Sequence, residues 1–284
     1  MPELELVGGT IDYFDTGGDG PALVFQHGVA MAGSEWREVV RDLREDHRCI
    51  VPELPLGAHR KPMPPDADLS FEGLIRLVLE FVERLDLRDV TLVGSDFGLS
   101  LMVAAERPER VTRLVLASCE AFDNCPPGLP GKNMMRMGRL PGGVDLMLHS
   151  LRIRPLRRLP IAYGWMSKRL PHSLTDEWLR PAFTQRGIRR DLRRFIHAGE
   201  PSLVAEATER LREFDHPALV VWAAEDRVMP RDHGQRLVEL LPQGRLVEVD
   251  DSYTLIPVDQ PTELARHIRE FVRETAAAPA EVAG

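Results

Sequence analysis

The residue best placed to do chemistry is an aspartate at a predicted tight turn. Apolar and β-branched residues at 90–93 lead into Gly-Ser-Asp-Phe-Gly at 94–98, and a segment with helical apolar spacing follows. This order predicts a strand, a sharp turn and a helix, with Asp96 at the apex, Ser95 pointing away, and the flanking glycines removing side chains that would clash with the apex. A carboxylate there could attack carbon as a nucleophile or transfer protons. The alternative is an ordinary turn whose aspartate caps the helix.

The motif around Asp96 resembles the nucleophile elbow of the α/β-hydrolase superfamily. Its Gly-x-Asp-x-Gly form is similar to the branch with a carboxylate nucleophile, which includes haloalkane dehalogenases and epoxide hydrolases. The resemblance implies an α/β-hydrolase fold: a mostly parallel eight-stranded sheet flanked by helices, with an inserted helical lid.

A second motif, His-Gly-Val at 27–29, follows a continuous apolar run that predicts a buried strand at 22–26. In the family, the amides after His-Gly and after the nucleophile form the oxyanion hole, which assigns the backbone N–H groups of Val29 and Phe97. His27 itself is interpreted as a structural residue that bonds nearby loop backbone. The candidate substrate contacts are His27, Trp36, Tyr163 and Tyr253.

The resemblance breaks at the catalytic histidine. In relatives this residue follows the last strand, ahead of a Gln-Pro pair that opens the final helix. Counting back from Gln260-Pro261 places Thr254 in the histidine position. A threonine hydroxyl cannot act as a base near neutral pH. A plain copy of the family mechanism would therefore stop at the covalent ester on Asp96.

Three replacements for the histidine are open. His59 lies on a loop expected to border the pocket, although a surface position is equally compatible with its sequence context. His149 or His197 could reach down from the lid. Alternatively, Asp96 forms no ester and works as a general acid or base with a raised pKa in a dry pocket.

Two acids could support the site. Asp226 follows the seventh predicted strand, and Glu120 follows the sixth, a place that some dehalogenases use instead. If both face Asp96, their repulsion would raise at least one pKa. Because no tight metal-ligand spacing is present, we expect neither a metal nor another cofactor.

The predicted elements place these residues on one edge of a sheet. A hairpin at 3–7 and 10–15 precedes apolar strand patterns that alternate with helical ones. Such alternation predicts a mostly parallel sheet with right-handed crossovers. The helical patterns are centred on residues 36–43, 71–85 and 264–272.

The pattern of predicted elements and the charge of the chain both change at about residue 119. From 119 to 212 no convincing strand is found, and 17 Lys/Arg face 9 Asp/Glu, a net +8 that leaves −16 for the rest of the chain. We therefore predict a hydrolase core at 1–118 and 213–275, a helical lid at 119–212 and a disordered tail at 276–284. A positive lid could hold itself against the core or attract anionic substrates. Most of its arginines are expected on solvated helix faces.

Composition limits the partners. The chain has 284 residues and a net charge of −8, which argues against general nucleic-acid binding. No apolar run reaches the roughly 20 residues that span a bilayer, and the start has no signal-peptide pattern. Three cysteines without metal spacing favour reduced thiols and a cytoplasmic protein. We expect a small-molecule substrate, no nucleic-acid or membrane partner, and leave a homodimer open.

The function predicted first is a hydrolase that acts on a small or medium, largely apolar substrate through Asp96. Neither dehalogenase nor epoxide hydrolase activity carries over directly. Val29 and Phe97 stand where related dehalogenases hold halide with Asn and Trp, and Tyr163 is the only tyrosine of the predicted lid. The alternative is a non-hydrolytic protein: a lyase, an isomerase or cyclase using Asp96 as acid or base, or a ligand-binding protein.

Overall fold

One eight-stranded sheet organises the protein. The structure, a computed structural model, describes residues 1–276, so the predicted tail lies outside the described residues from position 277 onward. The strands are β1 (Glu3–Leu6), β2 (Gly9–Asp15), β3 (Ala22–Gln26), β4 (Arg48–Pro52), β5 (Thr91–Asp96), β6 (Arg113–Cys119), β7 (Ala218–Ala223) and β8 (Gly244–Val249).

The sheet order is β1-β2-β4-β3-β5-β6-β7-β8. The β1–β2 and β2–β4 pairs are antiparallel and all other pairs are parallel. The predicted fold class and the predicted N-terminal hairpin are therefore confirmed. Strand β5, which carries Asp96, lies between β3 and β6 in the middle of the sheet.

Helices cover both faces of the sheet. They are α1 (Arg37–Leu43), α2 (Phe71–Arg84), α3 (Leu99–Glu106), α4 (Gly128–Arg139), α5 (Gly143–Ser150), α6 (His172–Thr184), α7 (Arg186–Ala198), α8 (Pro201–Arg210), α9 (Arg231–Leu240), α10 (Ile256–Asp259) and α11 (Pro261–Ala276). The apolar residues of α1 and α11 form one core with the sheet, whereas those of α2 and α3 belong to a second and larger core.

Helix α2 shows how local sequence sets these elements. Its apolar residues recur at helical spacing, and the side chain of Ser70 accepts a hydrogen bond from the Gly73 N–H at 3.1 Å. Such a cap satisfies one of the N–H groups that a helix start leaves free, and it typically contributes about 1 kcal/mol. The helix follows the predicted pattern from Phe71 onward.

We call residues 120–217, between β6 and β7, the helical insertion. Within the described chain this stretch contains α4 to α8 and no strand. Most of its arginines are exposed, as expected, whereas Arg157 is buried and some of the half-buried ones contact the core. Arg190 donates to the backbone oxygen of Met63, and Arg194 donates to that of Pro64 at 3.0 Å. These contacts attach α7 to the loop that follows β4.

Candidate active site

Asp96 is held at the apex of a strained turn. Strand β5 ends at this residue, and α3 begins three residues later. Its φ of +62° lies in the left-handed region, which non-glycine residues rarely adopt and which costs of order 1–3 kcal/mol. The surrounding structure must maintain this conformation. The predicted strand, turn and helix are all present.

The flanking glycines Gly94 and Gly98 were expected to make room for Asp96, but in the structure they make room for other residues. A Cβ on Gly94 would lie 2.2 Å from the Ser100 hydroxyl oxygen, so this glycine lets α3 pack onto the strand. A Cβ on Gly98 would lie 2.9 Å from the Glu120 carbonyl oxygen. The glycine that makes room for Asp96 itself is Gly28, where a Cβ would lie 2.4 Å from the carboxylate Oδ2.

The Asp96 carboxylate is buried and engaged at one oxygen. Its Oδ2 accepts a hydrogen bond from the Val29 N–H at 3.3 Å, whereas Oδ1 has no hydrogen-bond partner among the described residues. Burial raises the pKa of Asp96 from its ordinary value of 3.8 to about 7; the Val29 amide opposes this shift and the charge of Asp226 adds to it. The carboxyl group therefore changes charge near neutral pH.

Asp96 borders a cavity of about 260 Å³ between the elbow and the helical insertion. This volume lies just below the roughly 300–1,000 Å³ typical of small-molecule sites. The apolar lining comes largely from the insertion, and it includes Met134, Met147, Leu151, Leu156, Leu159, Ile161, Ala162 and Met166. The polar lining residues are Asp96, Glu120, Asn133, Ser150 and Tyr163. Such a site suits a small, mostly apolar molecule that presents one reactive group to the carboxylates.

The two amides expected to form the oxyanion hole have different hydrogen-bond acceptors. The Val29 N–H faces the Asp96 carboxylate, as described above, and Val29 lines the cavity. The Phe97 N–H donates to the Ser95 oxygen at 2.8 Å within the turn. The Phe97 ring packs edge-on against Phe195 of α7, with centroids 5.5 Å apart. Of these two amides, only the Val29 N–H donates to the Asp96 carboxylate.

Thr254 is hydrogen-bonded to Asp226. The buried Thr254 hydroxyl donates to the Asp226 Oδ1 at 2.8 Å, and this oxygen also accepts the N–H groups of Val228 and Met229 at 2.9 Å each. Burial raises the pKa of Asp226, and these donors oppose the rise. Neither Asp226 nor Thr254 is among the residues that line the Asp96 cavity. The pair thus forms a small polar network beside the site.

Glu120, the other candidate acid, does line the cavity. It follows β6, it is 5% exposed, and its carboxylate Oε2 is 3.5 Å from the Gly98 N–H. Burial and, second, the charge of Asp96 raise the pKa of Glu120 well above its ordinary range. The structure therefore brings Asp96 and Glu120 to the same cavity. Of the two acids that the sequence offered as support for the site, Glu120 is the one that lines this cavity.

The candidate replacement histidines lie elsewhere. His59 is buried, and its Nε2 is 3.4 Å from Asp191 of α7. His149 and His197 are exposed on the insertion. The chain has nine histidines, and within residues 1–276 none lines the Asp96 cavity. His59 instead links its loop to the insertion.

The remaining predicted contacts divide into those at the cavity and those away from it. Tyr163 lines the cavity and donates its hydroxyl to the Ala30 oxygen at 2.8 Å. His27 accepts the Leu54 N–H at Nε2, 2.9 Å away, which is the structural role expected of it. Burial lowers the pKa of His27 to about 4.

Trp36 and Tyr253 were also predicted as contacts, and the structure places both away from the cavity lining. Trp36 is fully buried in the core shared with α1 and α11, and its indole N–H donates to the Gln26 oxygen at 3.3 Å. The ring of Tyr253 makes cation–π contacts with Lys168 and Arg227. Its centroid is 5.3 Å from the Lys168 Nζ and 4.5 Å from the Arg227 Cζ.

Two buried acids near the elbow were not singled out from the sequence. Glu35 accepts the Gly28 N–H at 3.4 Å, and Glu53 accepts the Gly33 N–H at 3.3 Å. Burial raises the pKa of Glu35 well above its ordinary range and that of Glu53 to about 7. In the sequence they look like surface glutamates, because nothing local indicates that the loop after β3 covers them. Among residues 1–276, no cluster of three or more His, Cys, Asp or Glu side chains is arranged to hold a metal ion.

Comparison with known proteins identifies the family. A family model for the alpha/beta hydrolase fold matches residues 21–261. The chain belongs to the α/β-hydrolase family. The elbow and the mostly parallel eight-stranded sheet agree with this assignment.

The relatives span most of the chain. The uncharacterized hydrolase YugF of Bacillus subtilis is 27% identical over 260 residues, which are 88% of this chain and 89% of that protein. The cis-3-alkyl-4-alkyloxetan-2-one decarboxylase of Xanthomonas campestris is 26% identical over 282 residues, 92% of each chain. The crystal structure of a putative ancestral haloalkane dehalogenase superimposes with a TM-score of 0.79 at 22% identity, covering 98% of this chain and 100% of the other.

These likenesses establish an enzyme fold and a coarse activity. The protein is a hydrolase-type enzyme of the α/β-hydrolase superfamily, related to haloalkane dehalogenases and to oxetanone decarboxylases. Within residues 1–276 no helix has both the length and the apolar character needed to cross a membrane.

Proposed function

We propose that the protein hydrolyses a small, largely apolar organic substrate, with Asp96 as the nucleophile. The observation that carries the proposal is the Asp96 carboxylate itself. It is 5% exposed, it borders an apolar cavity, and its Oδ1 is engaged by no described donor. The Val29 N–H orients the group through Oδ2. A carboxylate oxygen held this way can attack a substrate carbon.

The proposed reaction has two steps. Asp96 Oδ1 forms a bond to an electrophilic carbon, and the leaving group departs with its bonding electrons, which gives an ester on Asp96. Water then attacks the ester carbonyl carbon, and the Val29 N–H donates to the oxygen on which negative charge develops. The tetrahedral intermediate collapses to release an alcohol and restores the carboxylate. Because the pKa of Asp96 is about 7, attack should become faster as the pH rises through that value.

The test compares two neighbouring substitutions on a panel of epoxides, alkyl halides and esters. Asp96→Asn should lower kcat by about 1,000-fold or more, whereas Ser95→Ala, its buried neighbour, should retain activity within a few-fold. Turnover in water enriched in oxygen-18 should place the label in the peptide that contains Asp96. Full activity of Asp96→Asn, or label confined to the product in a single turnover, would contradict the proposal.

A lyase or isomerase that uses Asp96 as acid or base is the second candidate. It is favoured by the environment of Thr254, whose hydroxyl donates a hydrogen bond to Asp226 at 2.8 Å and offers no base to cleave an ester. A full-length relative is also named as a decarboxylase. Under this candidate the product would contain no oxygen from water, and no labelled Asp96 would form.

A further inference from the structure

We infer that Glu120 is a catalytic acid–base residue that acts directly on the reaction at Asp96 and takes the place of a histidine. This inference rests on the proposed function. It begins with position: Asp96 ends β5, and Glu120 follows the adjacent parallel strand β6. The Glu120 backbone N–H donates to the Asp96 carbonyl oxygen at 2.9 Å. Both side chains are 5% exposed, and both line the same cavity.

The Glu120 carboxylate is lightly engaged compared with the other candidates. Its backbone contact, from the Gly98 N–H, is long at 3.5 Å, and its side-chain partner is the Cys125 thiol. Asp226, in contrast, receives three donors on a single oxygen at 2.8–2.9 Å and does not line the cavity. Tyr163 lines the cavity, but its hydroxyl proton is donated to the Ala30 oxygen. Within the described chain, Glu120 is the one carboxyl group besides Asp96 that lines the cavity, and no short hydrogen bond from the backbone holds it.

The pair can share one proton. Two carboxyl groups in one dry cavity repel each other when both are ionised, so the singly protonated state is favoured. In the first step Asp96 attacks carbon as the carboxylate, and Glu120 gives its proton to the departing atom. The products are the Asp96 ester, the protonated leaving group and ionised Glu120.

The second step returns the proton. Because the ester carries no charge, nothing at Asp96 now disfavours ionised Glu120. Glu120 takes a proton from water as the water oxygen bonds to the ester carbonyl carbon. The bond between the carbonyl carbon and the alkoxy oxygen then breaks. The alkoxide takes up the proton that remains on the added water oxygen, and Asp96 is restored as the carboxylate. The balance is one water consumed, one alcohol formed, and both side chains restored.

This scheme favours a class of substrate. A leaving oxygen, as in a strained cyclic ether, needs a proton when the carbon–oxygen bond breaks, whereas a halide does not. Glu120 in its acid form supplies that proton. An alkyl halide leaves as the halide anion, and Glu120 then releases its proton to solvent once the ester has formed. We therefore expect an epoxide-type substrate to depend on Glu120 in the first step, and an alkyl halide to depend on it only in the second.

The experiment uses Glu120→Gln with Glu53→Gln as the matched control. Glu53 is also a buried acid with a raised pKa, but it does not line the cavity. Glu120→Gln should lower kcat for an epoxide by about 100- to 10,000-fold, the usual range for an acid–base group. With an alkyl bromide it should accumulate an adduct on Asp96, visible in the intact mass. Glu53→Gln should show neither effect.

Two further readouts exclude a merely structural role. The wild-type pH profile should be bell-shaped, with ionised Asp96 required on the acid side and protonated Glu120 on the alkaline side, and Glu120→Gln should lose the alkaline limb. Formate added to Glu120→Ala should restore part of the activity. If Glu120→Gln hydrolyses epoxides within three-fold of wild type while Asp96→Asn is inactive, the inference is wrong and the proposed function stands. If Asp96→Asn is fully active, or if the wild type neither turns over nor is labelled, the proposed function fails and takes this inference with it.

Discussion

Replacing Asp96 by asparagine should stabilise the protein at pH 8, and the gain should shrink as the pH falls. Asparagine keeps the shape of the side chain and an oxygen that can accept the Val29 N–H. It removes a charge that burial disfavours. The variant would thus exchange function for stability, as is common when an active site holds an unfavourable group.

The magnitude follows from the pKa. In the folded protein the pKa of Asp96 is about 7, compared with 3.8 for an unperturbed aspartate. Each pKa unit corresponds to about 1.4 kcal/mol, so ionising Asp96 costs the folded state about 4 kcal/mol at pH 8. The folded state holds the proton more tightly, and therefore stability falls as the pH rises between the two values. At pH 5 the cost is about 2 kcal/mol, and below pH 3.8 it vanishes.

The assay is urea denaturation of both proteins at pH 5, 6, 7 and 8 and constant ionic strength. The difference in the free energy of unfolding should grow by about 2–3 kcal/mol from pH 5 to pH 8. Asp19→Asn, at an exposed turn, is the control and should differ from wild type by less than about 0.5 kcal/mol at every pH. A difference between Asp96→Asn and wild type that does not change with pH would refute the reasoning.

Three other substitutions test the surroundings of the site. Thr254→Val removes the buried 2.8 Å hydrogen bond to Asp226 and should cost about 1–3 kcal/mol in urea denaturation, whereas Thr254→Ser should cost less. Gly28→Ala places a Cβ 2.4 Å from the Asp96 Oδ2 and should lower kcat about 100-fold with an unchanged circular dichroism spectrum; unaltered kcat would contradict the close approach. His59→Gln should keep kcat within a few-fold but lower the melting temperature, and a large loss of kcat would instead identify the histidine as a relocated base.

The helical insertion affects how these results are read. Its apolar residues form most of the cavity lining, and α7 is joined to the core by Phe195 and by the arginines that contact the loop after β4. A substitution on α7 can therefore change the cavity without touching Asp96. The positive charge of the insertion is used partly in these internal contacts, which limits how much of it is free to attract an anionic substrate.

The sequence by itself determined the elements and the position of the reactive residue. The Gly-x-Asp-x-Gly motif occupies five residues, and the apolar patterns on either side are also local, so the strand, the turn and the helix follow from local spacing and from glycine. The mostly parallel sheet follows from alternating strand and helix patterns, whereas its eight strands were implied by the resemblance to the α/β-hydrolase superfamily. That Thr254 takes the place of the family's histidine stays a prediction, because it depends on a count back from the neighbouring Gln260-Pro261.

Only the tertiary structure decided which of the candidates meet. Glu120 and Asp226 were equivalent in sequence, but Glu120 lines the cavity and Asp226 does not. His59 lies beside Asp191, a residue 132 positions away, and no local pattern connects the two. The raised pKa of Asp96 likewise depends on burial by segments from the whole chain. Burial, desolvation and long-range pairing arise when the elements pack together, so the pattern of residues along the chain predicts them only in part.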